Sequence, residues 1–174
     1  ATTVPSCWSW IFKGGNGMRR KDREIRDKEQ LEEILKECAV VRIGAQDEAG
    51  MFVVPMNFGY RLEGEELTLY VHSAPEGRKV TSFRKGGTVA FEMDCGHALR
   101  TADTACGHSY TYQSIMGTGT VAEVQDAEEK QKALEVIMTH LTGQAWAVPS
   151  QGAERTAVFA IHVTTWTGKA NQPT

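Results

Sequence analysis

AVVRIGAQDEAGMFVVPMNFGYRLEGEELTLYV, residues 39–71, is the stretch that decides the fold. It begins with a β-like run at residues 39–45, and the turn signal Asp47-Glu48-Ala49-Gly50 then leads into a returning strand at residues 51–60. A second turn at Glu63-Gly64 precedes a third alternating run at residues 67–71. Because parallel strands need a crossover of a dozen or more residues, turns this short predict three consecutive antiparallel strands.

The segments outside this stretch predict helices and further strands. Asp27 and Gln30 form a capping pattern for a first helix, and Asp126 and Glu129 do the same for a later one. A short helix is expected around residues 76–84, and a Gly-, Asp-, Cys- and His-rich loop at 94–108. Further strands are expected at residues 88–93, 110–124 and 157–163, with bends at Gly117 and Gly119 in the second. The order predicts a mainly β chain, an antiparallel barrel with helical additions, and excludes a doubly wound parallel sheet.

Size and charge indicate one domain and exclude two kinds of partner. The chain has 174 residues, 41% of them hydrophobic and 24% charged, and a formal net charge of −3. The basic stretch at residues 19–26 lies within residues 18–38, which contain seven Lys or Arg and seven Asp or Glu, so its charge is locally balanced. We therefore expect no nucleic-acid partner. No apolar run approaches the roughly 20 residues of a membrane-spanning helix, so no membrane partner is expected either.

The N-terminal segment differs in character from the rest of the chain. The first Met is Met18, and Gly14-Gly15-Asn16-Gly17 before it is typical of a flexible joint. We therefore interpret residues 1–17 as an added or upstream extension and residues 18–174 as a single domain. A genuine arm that packs on a partner subunit is the other interpretation, since exposed Trp side chains in the extension would lower solubility.

The four Cys lie far apart, which indicates a reducing, cytoplasmic setting.

The segment HSAPEGRK, residues 72–79, carries the side chains that a phosphate requires. Ser73 can donate a hydroxyl hydrogen bond, Arg78 can bind two oxygens with its planar fork, and Lys79 adds a compact positive charge. Residues 76–79 also begin a predicted helix, whose free N–H groups favour an anion. His72 titrates near neutral pH and could donate a proton. The alternatives are an ordinary strand-to-helix turn and a histidine that only hydrogen-bonds a strand end.

Two Cys-Gly-His units raise the possibility of a metal site. Cys95, His97, Cys106 and His108 together supply the ligands of a tetrahedral zinc site. The single residue between Cys and His in each unit is a tighter spacing than zinc fingers use, so we expect a polar loop without metal. The sequence also lacks a Ser/His/Asp order, a Walker phosphate loop and a dinucleotide glycine fingerprint.

Six groups of residues, taken in order, resemble one known family. They resemble the nitroimidazole-resistance (Nim) group of the pyridoxamine phosphate oxidase-like, FMN-binding split-barrel flavoproteins. The groups are MRRKDREI at 18–25, VPMNFGY at 54–60, HSA at 72–74 with GRK at 77–79, FEMD at 91–94, YQSIMGTG at 112–119 and TGK at 167–169.

The resemblance implies a six-stranded antiparallel split barrel with two or three flanking helices. It also implies a homodimer with the flavin, FMN or alternatively FAD, at the subunit interface. In this family the strand that corresponds to residues 54–60 lies beside the flavin ring. The segment at 72–79 meets the phosphate, and the stretch at 112–119 adds contacts. The implied cofactor-binding residues are Pro55, Met56, Asn57, Phe58, Gly59, His72, Ser73, Arg78, Lys79 and Ser114, and His72 is also the candidate catalytic residue.

The activity that the resemblance implies is an FMN-dependent oxidoreductase acting on a small molecule. Reduction of nitroaromatics such as 5-nitroimidazoles is the leading hypothesis. The alternatives are a non-catalytic flavin carrier or redox sensor, and a pyridoxamine phosphate oxidase-like enzyme.

Overall fold

A computed structural model describes residues 20–171, which form a mainly antiparallel β-structure with four α-helices. The predicted extension at residues 1–17 lies outside the described residues. The strands are β1 (Glu24–Ile25), β2 (Val40–Asp47), β3 (Gly50–Glu63), β4 (Glu66–Ser73), β5 (Gly87–Arg100), β6 (Ser109–Glu123) and β7 (Ala157–Asn171). The helices are α1 (Lys28–Glu37), α2 (Arg78–Arg84), α3 (Ala127–Thr142) and α4 (Ser150–Glu154), with 3₁₀ turns at Lys21–Arg23 and Ala105–Gly107.

Six strands close into the predicted barrel. Neighbouring strands follow the order β7-β4-β3-β2-β5-β6, and β6 also pairs with β7, which completes the ring. The short β1 adds to the outside edge of β7. Every pairing is antiparallel, as the short turns require. The β6–β7 register shifts between Thr118 and Gly119, which confirms the bend predicted at this glycine.

The barrel core follows from strict alternation along the strands. On β4, Leu67, Leu69 and Val71 are buried, whereas the residues between them face outward. α2 adds Val80 and Phe83 to the same core. Side chains of the described residues therefore fill the barrel along its axis.

Helix α3 covers part of the outside of the barrel. Ala133, Leu134 and Ile137 pack with Val158 of β7 and Ala153 of α4 in a second, smaller apolar cluster. α3 begins at the predicted cap, because Asp126 accepts hydrogen bonds from the backbone N–H groups after it. This helix therefore shields one outer face of the barrel and leaves other outer faces uncovered.

Three elements differ from the predictions. β5 runs to Arg100 and β6 begins at Ser109, so most of the predicted loop at 94–108 is a long hairpin with an irregularity between Cys95 and Ala98. β7 extends eight residues past the predicted end, because its second half pairs with β6. α4 was not predicted, since its five residues lack an apolar periodicity. In residues 20–171 no helix is long and apolar enough to cross a membrane.

Candidate functional site

A split between β3 and β4 brings the two predicted site segments together. The pairing of these strands runs from Glu63 and Glu66 to Phe58 and Val71 and then stops. Beyond that point, residues 50–57 pair with β2 alone, while the chain after Val71 continues on β7 and then into residues 74–77. Within residues 20–171, the β4-facing edge of residues 50–57 is therefore free of strand pairing, and this segment contains Pro55, a residue that sheets accept mainly on edge strands.

Arg78 bridges this split. Its Nε lies 2.7 Å from Asp47 Oδ2, and its Nη2 lies 2.8 Å from Asp47 Oδ1 and 3.1 Å from the Gly50 carbonyl oxygen. The guanidinium also lies over the Phe52 ring, 4.5 Å from its centroid. The hydrogen bond from Arg78 lowers the pKa of Asp47, so this carboxylate is charged at neutral pH. No local sequence pattern predicts this pair, because its members lie 31 residues apart.

Donors remain available beside the bridge. Within residues 20–171 the Nη1 group of Arg78 makes no hydrogen bond, and Lys79 forms no ion pair. Ser73 is half-buried at the end of β4, five residues before Arg78. Together these residues offer a hydroxyl, guanidinium N–H groups and an ammonium group, and one of the two cations is offset by Asp47. This is a donor set that fits a phosphate with two negative charges.

The segment between Ser73 and α2 is held in place from its other side. The Arg84 guanidinium donates to the Pro75 carbonyl at 3.1 Å and binds the Glu123 carboxylate at 2.9 Å. Gly77 is the N-cap residue that precedes α2, and its φ of 122° is a conformation that favours glycine. The turn therefore has a defined shape before any ligand binds.

The five residues predicted on β3 face different environments. Pro55 and Asn57 point outward and are exposed, and Asn57 Nδ2 donates to the Ala39 carbonyl at 2.9 Å. Met56 and Phe58 point into the barrel core, where Phe58 is fully buried. Only backbone atoms of these two residues could reach a ligand outside the barrel.

Gly59 faces α3. A Cβ on Gly59 would lie 2.7 Å from the Cα of Ile137, so the glycine allows the helix to approach the strand. Packing alone accounts for a glycine at this position, and it lies on the paired side of the split.

His72 lies at the start of the split, on the outward side of β4. Its side chain faces outward with part of its surface open to solvent and part covered by its surroundings, and the residue pairs in register with Val158 of β7. Partial burial by its surroundings lowers the pKa of His72 from its ordinary value of 6.5. The imidazole is consequently neutral at pH 7, and it carries a donatable proton only at mildly acidic pH.

Ser114 belongs to an outer face on the other side of β2. It pairs in register with Asp94 of β5 and with Lys169 of β7. Asp94 binds Arg42 of β2 at 2.5 Å, and Arg42 pairs in register with Pro55. The Arg42–Asp94 ion pair thus lies on the outer sheet between Pro55 and Ser114, whose strand partners are these two residues. Within the described residues of one chain, Ser114 does not pair with residues 72–79.

The Cys- and His-containing hairpin has its own local contacts. His97 Nε2 lies 2.7 Å from Asp94 Oδ2, and His108 Nδ1 lies 2.9 Å from a loop carbonyl. Cys95 packs against the core cluster that includes Cys38, the residue that follows α1. In the part of the chain that is described, no three His, Cys, Asp or Glu side chains group as metal ligands.

Comparison with known proteins places this geometry in a family. Residues 27–170 match the family model described as pyridoxamine 5'-phosphate oxidase. A similar solved structure is a candidate 5-nitroimidazole antibiotic resistance protein from Bacteroides thetaiotaomicron VPI-5482. It is 33% identical, with a TM-score of 0.71, over 86% of this chain and 90% of that one. No curated protein matches the chain in sequence.

Two further solved structures share the fold at low identity. The FAD and heme binding protein from Mycobacterium smegmatis is 15% identical, with a TM-score of 0.73, over 87% of this chain and 74% of that one. The flavocytochrome Anf3 from Azotobacter vinelandii is 20% identical, also with a TM-score of 0.73, over 90% of this chain and 73% of that one. The family match spans most of the chain and agrees with the barrel, so the chain belongs to the pyridoxamine 5'-phosphate oxidase family.

Proposed function

We propose that this chain is an FMN-dependent oxidoreductase that reduces small nitroaromatic molecules such as 5-nitroimidazoles. The observation that carries the proposal is the split between β3 and β4, where a free strand edge lies beside a set of phosphate donors. The substrate class is supported by the 33% identity with the candidate 5-nitroimidazole antibiotic resistance protein. FMN, when bound, supplies the electron-transfer chemistry, and the protein supplies binding, orientation and protons.

The phosphate end of the cofactor is proposed to bind Ser73, Arg78 and Lys79. Asp47 orients the Arg78 fork from one side and leaves Nη1 available on the other. Charge-assisted hydrogen bonds of this type contribute about 1.5–3 kcal/mol each. The segment therefore has the charge and the donors to retain a cofactor through its phosphate.

The ring end is proposed to lie along the free edge of residues 50–57. Unpaired backbone N–H and C=O groups at this edge can hydrogen-bond the polar rim of a flavin ring. Asn57 adds a side-chain amide that is already oriented by the Ala39 carbonyl. Pro55 lacks an N–H and so prevents another strand from occupying the edge completely.

His72 is proposed as the proton donor to the reduced substrate. In the sequence, His72 lies between the free edge at residues 50–57 and the phosphate donors at residues 73–79. Part of its side chain is open to solvent. Because partial burial lowers its pKa, the proton is available mainly below neutral pH. The reaction is therefore expected to be faster at mildly acidic pH than at pH 8.

A homodimer with the flavin at the interface completes the proposal. The outer face of β3, β2, β5 and β6 exposes Met51 and Val53, at 80% and 66%, and also Met116 at 44%. The small residues Gly44 and Ala90 lie in register beside Val53, which keeps this part of the face flat. Exposed apolar patches on such a face are typical of subunit contacts, and Ser114 lies on the same face. The second subunit would thereby bring Ser114 to the cofactor.

The domain and setting form part of the same proposal. Residues 18–174 act as one flavin-binding domain, and the chain works in a reducing, cytoplasmic environment. The free thiols of Cys38, Cys95 and Cys106 support this setting.

Cofactor analysis tests the first half of the proposal. The purified protein should be yellow, and the released flavin should have the mass of FMN. A released flavin with the mass of FAD would identify the cofactor as FAD instead. The double variant Arg78→Ala/Lys79→Ala should bind FMN at least about tenfold more weakly, since each 1.4 kcal/mol lost is a factor of ten. The matched control is Arg26→Ala/Lys28→Ala, which removes two exposed cations just before and at the start of α1. A colourless protein that cannot be reconstituted would contradict the proposal.

Anaerobic reoxidation tests the activity. The reduced protein should be reoxidised rapidly by a 5-nitroimidazole, whereas a carrier or sensor would react no faster than free reduced FMN. Turnover of pyridoxamine phosphate instead would support the third alternative and contradict the proposed substrate class.

A further inference from the structure

A cavity separate from the split between β3 and β4 lies between α1, β3 and α3. Its volume is about 700 Å³, within the range of ligand sites in proteins, roughly 300–1,000 Å³. None of its lining residues belongs to the split, to the segment at 72–79 or to the flat outer face. It is consequently not explained by the proposed flavin site.

Two aromatic rings line the inner part of this cavity. Tyr60 is half-buried, and its ring meets that of His140 edge to face, at 5.4 Å between centroids and 77° between planes. His140 is held from behind, because its Nε2 lies 2.8 Å from the Cys38 carbonyl oxygen and its ring packs 4.6 Å from Phe58. The rings are thus ordered in advance, so a planar ligand would lose little free energy in arranging them.

Three cations lie around the cavity. They are Lys36 of α1, Arg61 of β3 and Lys132 of α3. Each is paired with an exposed carboxylate on its own element, at 3.0 Å for Lys36 and Lys132 and at 3.6 Å for Arg61. Exposed pairs contribute only about 0–1 kcal/mol, so an incoming anion can compete for these cations.

One carboxylate lines the cavity, and its interaction is directed elsewhere. Glu135 Oε1 accepts a hydrogen bond from the Val148 backbone nitrogen at 3.3 Å. The lining therefore has three cations and one anion around an aromatic interior, a combination that suits a ligand with a flat apolar body and a negative group.

We propose that this cavity binds a small aromatic carboxylate. The ring of the ligand packs on Tyr60 and His140, and its carboxylate pairs with Lys36, Arg61 and Lys132 at the rim. A neutral aromatic molecule would gain the packing without the charge pairing, and inorganic phosphate the charge pairing without the packing. Both should bind more weakly than a molecule that combines the two features.

Calorimetric titration with 2-naphthoate tests this site on the full chain. We expect 2-naphthoate to bind at least about tenfold more tightly than 2-naphthamide, which has the same ring and no charge. Lys36→Ala/Lys132→Ala should lose most of this preference, and Tyr60→Leu should weaken both ligands. Lys85→Ala/Arg155→Ala is the matched control and should bind 2-naphthoate like the wild type.

The flavin site is separated from this cavity by a further variant. Arg78→Ala/Lys79→Ala should bind 2-naphthoate unchanged, whether or not it retains FMN. Loss of binding in that variant, equal binding by Lys36→Ala/Lys132→Ala, or no binding by the wild type would each overturn the proposal. Circular dichroism of every variant ensures that a loss of binding is not a loss of folding.

Discussion

Gly59 of β3 and Ile137 of α3 are in direct backbone contact: a Cβ on Gly59 would lie 2.7 Å from both the Cα and the nitrogen of Ile137. Real Cβ atoms do not approach backbone atoms so closely, so the helix lies on this strand only because residue 59 has no side chain. The same helix contributes to the second apolar cluster and to the cavity lined by Tyr60 and His140. The glycine therefore sets the position of a whole layer of the structure.

Gly59→Ala should destabilise the protein by about 1–3 kcal/mol, because the added methyl group forces the backbone of α3 away from the sheet. Urea denaturation monitored by circular dichroism measures this change. Gly152→Ala is the matched control, since a Cβ on Gly152 of α4 meets open space. That control should be neutral or more stable, as alanine is favoured over glycine in a helix by about 0.5–1 kcal/mol. Equal stability of the Gly59 variant and the wild type would contradict the close contact.

The stability of the protein should depend on pH through His72. Partial burial lowers the pKa of His72 below 6.5 in the folded state, so below that pH the unfolded chain binds more protons. Folding stability should therefore fall as the pH is lowered through the ordinary histidine pKa towards the folded value. His72→Gln should reduce this slope in urea denaturation between pH 7.5 and about pH 5.

His162→Gln provides the comparison, because His162 is an exposed histidine on the neighbouring strand β7. The slope measured for His72→Gln is compared with the slope measured for this variant. An unchanged slope in His72→Gln would show that the partial burial of this ring has no effect on stability.

Val53→Glu should convert the proposed dimer into a monomer. Val53 is 66% exposed in the single chain and lies on the β3 side of the flat outer face, where a charge buried without a partner in the dimer is costly. Light scattering after size-exclusion chromatography measures the molecular mass, and FMN affinity should fall together with it. Leu141→Glu, on α3 and away from this face, should remain a dimer. A wild-type monomer that retains FMN would contradict the proposed interface.

The free thiols should react in a fixed order. Cys106 is exposed, whereas Cys38 is buried and burial raises the pKa of its thiol, which suppresses the reactive thiolate. Iodoacetamide should therefore modify Cys106 first and leave Cys38 unmodified in the native protein at pH 8. Peptide mass spectrometry measures both rates, and in urea both residues should react. Similar native rates at the two positions would be inconsistent with a closed barrel core around Cys38.

Local chemistry allowed much of the fold to be predicted from the sequence. The caps at Asp27 and Asp126 accept the expected backbone hydrogen bonds, because a cap depends only on residues two or three positions away. The hairpin after Asp47 forms because alternation and turn residues act over a few positions. The family resemblance extended this to the six-stranded barrel, which is confirmed, and to a list of candidate site residues, which stay predictions.

The length of the strands could not be predicted in the same way. β5 and β7 extend beyond their apolar alternation because a partner strand continues beside them. Backbone pairing supplies the hydrogen bonds there, and the side chains carry no period-two signal when both faces are exposed.

The sequence by itself determined most of the elements, their antiparallel order and the residue types that a phosphate would need. The tertiary structure alone decided which of those residues are available. It pairs Arg78 with Asp47, buries Phe58, places Gly59 beneath α3 and connects Arg42 to Asp94. These relationships join residues that are distant in the sequence. They depend on strand register and helix packing, which no local pattern of side chains specifies.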